Sequence, residues 1–595
     1  MSYKAPVREL QFVLHELIDD SRLTACPAHA EYSAELADSI LEEAARFAEE
    51  VLAPINVVGD REGARWTPEG VRMPDAFKQA YEKFVEGGWP QLRAPQEHGG
   101  QGAPMLLGTA VEELWGSANL SFKLCPMLTQ GAVDALHRCG SAQQQALWLP
   151  KMVTGEWAGT MNLTEPQAGS DLGAIRTRAV PEGDHYRLYG QKIFITYGDH
   201  DYTPNIVHLV LARIEGAPEG TKGISLFIVP KVLVNEDGSL GRPNDVRCVS
   251  IEHKLGIHAS PTCVLAYGDR EGAIGYLVGE PNRGLEYMFI MMNGARLAVG
   301  LEGYAMGERA YQQALEWARN RIQGRPAGHA SATAGTSLPI AYHSDVKRML
   351  LTMKACTDAS RALTLYTAYH LDVARHHPDA DMRAAAQARG DLLIPIVKAW
   401  STEVGIESTS LGIQVHGGMG YIEETGAAQL LRDARITAIY EGTTGIQAGD
   451  LIGRKVGRDG GAAMRALIAE MSTEVEALPE ADDGLRATKR AALEGIELLR
   501  TSTEALLGLL ARGLEHAQAV AVPYLMLSGV VIGGWLMAKS QAIAASRHDA
   551  DPGFYGAKLQ IARFYASQVL PQALALARTV QSGAEGVVAA DPARL

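Results

Sequence analysis

The chain has 595 residues, 47% apolar and 21% charged, with a formal net charge of −14. That length exceeds what one hydrophobic core supports, so several domains are expected. The acidic balance argues against nucleic acid or an anionic membrane as the main partner. Six scattered cysteines, with no CxxC and no His/Cys cluster, predict reduced thiols in a cytoplasmic protein and no metal site.

The first twenty residues lack the charged-then-apolar pattern of a signal peptide, and 1–34 reads as an N-terminal extension. A helical domain is predicted over 35–159. In it, Ser33 to Val51 forms an amphipathic helix stopped by Pro54, and Pro74 opens another through Phe84 before Gly87 and Gly88. The pattern then turns β-rich. Runs starting at Tyr186, Lys192, Ile206 and Ile224 are punctuated by Gly, Pro, Asn and Asp, giving a middle antiparallel β domain over 160–280. Helical periodicity returns over 285–320, 342–374 and 382–411, a four-helix-bundle domain spanning 281–456 and interrupted by a flexible loop at 326–339. A further helical domain fills 457–595. Its segment Val520–Ala538 is apolar and long enough to cross a membrane, but Pro523 and the glycines at 529, 533 and 534 favour a buried central helix. No integral span is predicted, while peripheral membrane association stays open. The fold class is α+β in the order α, β, α, extra α.

Four stretches could carry chemistry. In Met161–Asp171, Gly169 permits close backbone approach while Thr164 and Ser170 offer donors to a polar ligand edge; a turn-rich connector explains it equally well. In Lys192–Gly198, strand alternation puts Phe194 and Thr196 on one face, suited to a planar cofactor or to ordinary core packing. Gln414–Tyr421 is a glycine-dense break after a long helix, either a backbone cradle for phosphate or a helix stop. Finally, Ala438–Gln447 holds one carboxylate, Glu441, with no cation within three residues. It is a helix N-terminal acid or a base. No GxGxxG follows a predicted strand, which excludes the Rossmann and P-loop readings.

Order and spacing join these stretches. Leu149-Pro…Gly155-Glu, Thr164-Glu-Pro-Gln-Ala-Gly-Ser-Asp171, Lys192-Ile-Phe-Ile-Thr196, Lys254-Leu-Gly-Ile, Asn293-Gly-Ala-Arg296, Gln414…Gly417-Gly418 and Ile439-Tyr-Glu-Gly-Thr443 resemble the acyl-CoA dehydrogenase family from about residue 35 to 455. The opening Ser2-Tyr-Lys-Ala-Pro-Val-Arg and the added C-terminal helices resemble its larger bacterial subgroup, which includes 3-methylthiopropionyl-CoA dehydrogenases and long-chain-type enzymes.

The resemblance implies FAD-dependent desaturation of an acyl-CoA thioester in fatty acid β-oxidation, with electrons passed to electron-transfer flavoprotein and a homodimeric assembly. It implies that Leu163, Thr164, Gly169 and Ser170 line the flavin, with Phe194 and Thr196 opposite. Arg321 and Gln323 reach the pyrophosphate of a neighbouring subunit, and Gln414, Gly417 and Gly418 its adenosine end. Thr443 and Gly445 complete the cofactor set. Asn293, Arg296, Ser170 and Gly442 contact the substrate, and Glu441 is the base that takes the α-proton. Neutral neighbours in sequence suit such a base, since a cation would depress its pKa. The chain departs from the family pattern at Asn293 (an acid is usual), at Phe194 (often Trp), and at Arg321-Ile-Gln-Gly324, which lacks an aromatic. An acyl-CoA oxidase and an inactive scaffold are the competing readings.

Overall fold

The computed structural model describes residues 3–329 and 335–594; Ser2 and positions 330–334 of the 326–339 loop lie outside the described residues. The chain forms two compact units. One comprises the residues up to Ala45, Met105–Ser117 and everything from Arg296 onward; the other comprises Arg46–Pro104 and Ala118–Ala295.

The second unit is built on an eight-stranded sheet. From one edge its strands run Val246–Ile251, Thr262–Tyr267, His185–Thr196, Ala273–Val278, Ile224–Pro230, Asn205–Ile214 and Trp157–Asn162, with Arg178–Glu182 pairing off this path. Ile224–Pro230 is buried along its whole length, and Asn205–Ala212 likewise, so these strands read as continuous apolar runs. The sheet is not wholly antiparallel as expected. Trp157–Asn162 runs parallel to Asn205–Ile214, and Arg178–Ala179 parallel to Arg213–Ile214. Chain that leaves Asn162 returns through a long crossover rather than a hairpin, which permits the parallel pairing. Helices Leu120–Cys139 and Ala142–Val153 cover one face, where Trp148, Leu149, Trp157, Val207 and Leu209 form the core.

Pro54 does not stop its helix. Ala34–Phe47 passes through a wide π turn at Ala48–Leu52 into Ala53–Glu62, where the proline occupies the first turn and its missing N–H costs nothing.

In the first unit the long helices Ser344–His376, Ala380–His416 and Ala521–Arg547 pack along one another. Ala521–Arg547 contains the segment apolar and long enough for a span. Its residues are buried against protein instead: a Cβ at Gly529 would stand 2.3 Å from the Trp400 ring, so the glycines permit close helix approach. A buried ionic network ties this unit together. Arg361 contacts Glu113 (2.6 Å), Asp358 (2.7 Å) and Glu308 (2.8 Å). Lys354 and Lys558 join Asp358 to Glu9 of the N-terminal extension.

Candidate active site

The turn carrying Glu441 sits in the first unit, between the 3-10 turn Arg435–Ala438 and helix Thr444–Asp450. Thr443, not Glu441, caps that helix, its hydroxyl accepting from the Ile446 N–H at 3.4 Å. Glu441 therefore makes no capping bond to that helix. Glu441 has φ +54°, a left-handed conformation that costs a non-glycine residue about 1–3 kcal/mol. Gly442 follows at φ +97°, and a Cβ there would lie 2.6 Å from Gln447 Nε2. That same amide donates to the Glu441 carbonyl at 2.9 Å. Among the described residues none accepts a hydrogen bond from the Glu441 backbone N–H. The turn is thus held from below while its amide and carboxyl stay available.

The electrostatics correct one expectation. Glu441 has no cation near it in sequence, but Arg296 and Lys398 stand near it in space. Loss of hydration dominates, and with Glu302 it outweighs both cations, pushing the carboxyl up to about 7 although the residue keeps some exposure. Both cations are otherwise engaged. Arg296, expected to contact CoA, is buried and paired with Asp450 at 3.3 Å. Lys398 is fully buried and donates to the Gly442 carbonyl at 2.7 Å. Burial holds its ammonium down to about 8 against the pull of Glu441 and Glu302. Tyr440 hydrogen-bonds Glu302 beneath the turn.

In the second unit, Thr164–Asp171 is a built loop organised by Glu165. Its carboxylate accepts from Lys192 Nζ (2.9 Å), from the Thr177 hydroxyl (2.6 Å) and N–H (3.0 Å), and from the Arg176 N–H (2.7 Å). Burial alone would raise its pKa, but these donors hold it at about 2. Lys192 also donates to the Leu163 carbonyl at 2.9 Å, and the Ile193 N–H to that of Thr164 at 2.9 Å. Phe194 departs from strand alternation: its φ is +58°, the register with Thr262–Tyr267 slips beside it, and the ring is 57% exposed. A β-bulge, rather than simple alternation with the half-buried Thr196, aims this aromatic outward.

Comparison with known proteins agrees with this layout. Successive profiles match at 35–156 (acyl-CoA dehydrogenase, N-terminal domain), 160–269 (middle domain), 282–457 (C-terminal domain) and 467–591 (acetyl-CoA dehydrogenase C-terminal like). A 3-methylmercaptopropionyl-CoA dehydrogenase of Ruegeria pomeroyi is 49% identical over 577 residues, 96% of each chain. The chain belongs to the acyl-CoA dehydrogenase family. A butyryl-CoA dehydrogenase of Syntrophomonas wolfei is 34% identical over 96% of this chain and 95% of its own. Among solved structures, an acyl-CoA dehydrogenase complexed with FAD from Bacillus anthracis gives a TM-score of 0.74 at 20% identity, covering 98% of this chain and 93% of that one.

As an acyl-CoA dehydrogenase the chain is a flavin-dependent oxidoreductase acting on CH–CH bonds, with FAD as cofactor. Its residues fit that group. Gly169, Gly417 and Gly418 present bare backbone, since a Cβ at any of them would meet open space. Exposed Phe194 offers a ring face, and half-buried Leu163 and Thr164 flank the Glu165 scaffold. Ser170, Arg321, Gln323 and Gln414 are exposed, with Gln323 and Arg321 anchored by backbone bonds to Leu338 and Ile340. The structure brings Glu441, Gly442, Thr443, Gly445 and Arg296 together in the first unit, whereas half-buried Asn293 belongs to the second. Sequence reasoning missed Lys398, Glu302 and Asp450, which no local motif links to Glu441. Glu165 and Lys192 stood inside quoted motifs, and only their burial reveals them as organisers.

Proposed function

We propose that this acyl-CoA dehydrogenase desaturates a short thioether acyl-CoA of the 3-methylmercaptopropionyl type, with Glu441 as base. The observation that carries the reading is a carboxyl held at about 7 on a left-handed turn whose backbone N–H is free. The α-proton of a thioester is only weakly acidic, so the carbonyl oxygen needs a donor; the Glu441 N–H takes that role. The carboxylate then removes the α-proton, and its raised pKa makes it a stronger base than an exposed glutamate. Closing of the acyl chain over Glu441 excludes water and raises that basicity further. Gly442 leaves room for the thioester. Bound FAD supplies the acceptor for the β-hydride.

Leu163, Thr164, Gly169, Ser170, Phe194 and Thr196 hold the flavin, with Thr443 and Gly445 beside the base. Asn293 and Ser170 contact the CoA portion. Exposed Arg321, Gln323, Gln414, Gly417 and Gly418 suit contact with the cofactor of a second copy, so the working assembly is a homodimer. Electron-transfer flavoprotein takes the electrons, and the cytoplasm is the compartment. The thioether preference rests on the 49% identity to the Ruegeria relative.

The test is E441Q. The variant is expected to bind FAD and acyl-CoA normally, yet leave the flavin oxidised when substrate is added anaerobically. Bleaching at the unmodified rate would remove Glu441 from the mechanism. Flavin reduction against short, thioether, medium and long thioesters tests the substrate class, and peroxide formed in air without an added acceptor would favour an oxidase.

A further inference from the structure

A second cluster of ligating side chains lies in the first unit, built from residues the reaction does not use. His29 ends the short turn Pro27–His29 of the N-terminal extension and is 5% exposed. Neither of its ring nitrogens makes a hydrogen bond, although the Ala28 backbone lies close enough to favour a protonated ring. An orphaned buried polar group costs about 1–3 kcal/mol, so a buried imidazole with both nitrogens unpaired calls for a partner. Its Nε2 points at Asp372, 3.8 Å from Oδ1, and its ring meets His376 edge-on with centroids 4.8 Å apart. One donor atom from each of His29, Asp372 and His376 lies within 4.8 Å of the others.

We propose that His29, Asp372 and His376 bind a divalent transition ion of the zinc type, with water in the remaining position. Two imidazoles and a carboxylate are ligands that zinc takes in tetrahedral sites, at about 2.0–2.2 Å each. Donors around such an ion stand roughly 3.3–3.6 Å apart by that geometry, so His29 and Asp372 nearly have the spacing and the set closes by about 1 Å. Asp372 and His376 are four residues apart on helix Ser344–His376 and share a face. Asp372 can serve while it caps helix Met105–Ala118, because the Met105 and Leu106 N–H bonds, 2.8 Å each, occupy one lone pair on each oxygen.

Metal binding satisfies His29 and staples the turn Pro27–His29 to helix Ser344–His376.

The test uses the full-length holoenzyme. After dialysis against a weak chelator, elemental analysis is expected to find about one zinc per chain. Stripped protein titrated with Co2+ is expected to show ligand-field bands that H29A/H376A lacks. H29A and H376A are expected to lose the ion while keeping FAD and turnover. Wild-type protein that binds neither zinc nor Co2+ overturns the proposal without reference to any variant. So does an ion retained by H29A/H376A, which would sit elsewhere, for example at Glu97, His98 and His137.

Discussion

Replacing Lys398 by methionine removes a buried charge while keeping most of the side-chain volume. Lys398 Nζ lies 2.7 Å from the Gly442 carbonyl, which by chain geometry puts it within about 10 Å of the preceding carboxylate. Two unit charges at that separation, in an effective dielectric of about 20, interact by about 1.7 kcal/mol, a little over one pKa unit. Glu441 is held at about 7 with this cation present, so K398M moves it to roughly 8. The sign is fixed by the chemistry: the base acts ionised, and raising its pKa removes ionised base at neutral pH. At pH 7 the ionised fraction drops roughly eightfold, and kcat/KM with it. The ratio of the two profiles becomes constant above about pH 9, where the wild-type lysine, itself held at about 8, has also lost its charge. Losing the donor to the Gly442 carbonyl adds a pH-independent decrease. The assay is kcat/KM for acyl-CoA with an artificial acceptor from pH 5.5 to 9.5. An inflection at the same pH in both proteins would refute the claim that the base feels this cation.

The unmodified enzyme should gain activity from pH 6 to 8 as Glu441 ionises through about 7; a flat kcat/KM profile there would contradict the assignment. G442A must adopt φ +97° at a cost of about 1–2 kcal/mol and place its Cβ 2.6 Å from Gln447. We expect at least tenfold lower turnover with FAD retained, checked by stopped-flow and absorbance. K192M strands the buried Glu165 carboxylate, at a cost of about 3–5 kcal/mol, and should loosen FAD, measured by thermal shift and flavin content. Glu165, held at about 2 against an ordinary 4.5, contributes stability that is complete above pH 4.5 and lost as pH falls towards 2. E165Q should flatten that limb of an acid-unfolding curve. R361M leaves Glu113 and Glu308 buried without their cation and should cost about 3–5 kcal/mol in urea unfolding, with no change in substrate preference.

Much of the fold was legible because periodicity is a local property. The helices expected at 285–320, 342–374 and 382–411 appear as Gly284–Asn320, Ser344–His376 and Ala380–His416. The apolar segment after Val520 appears as a buried helix because its glycines meet the rings of Trp400 and Tyr565. Pro54 misled, since a π turn absorbs it, and Phe194 did too, since a bulge breaks the alternation that strand reading assumes.

Sequence by itself determined the family and singled out the candidate cofactor motifs and the candidate base, because those depend on residue types at fixed spacing along the chain. It could not determine the charge around that base. Arg296 and Lys398 reach Glu441 from helices 145 and 43 positions earlier in the chain, and His29 meets Asp372 across 343 positions. Coulomb interactions and ligand geometry depend on distance in space, which only the packed helices set. The candidate base was therefore readable from the motif, while its basicity and the second cluster came from the tertiary structure.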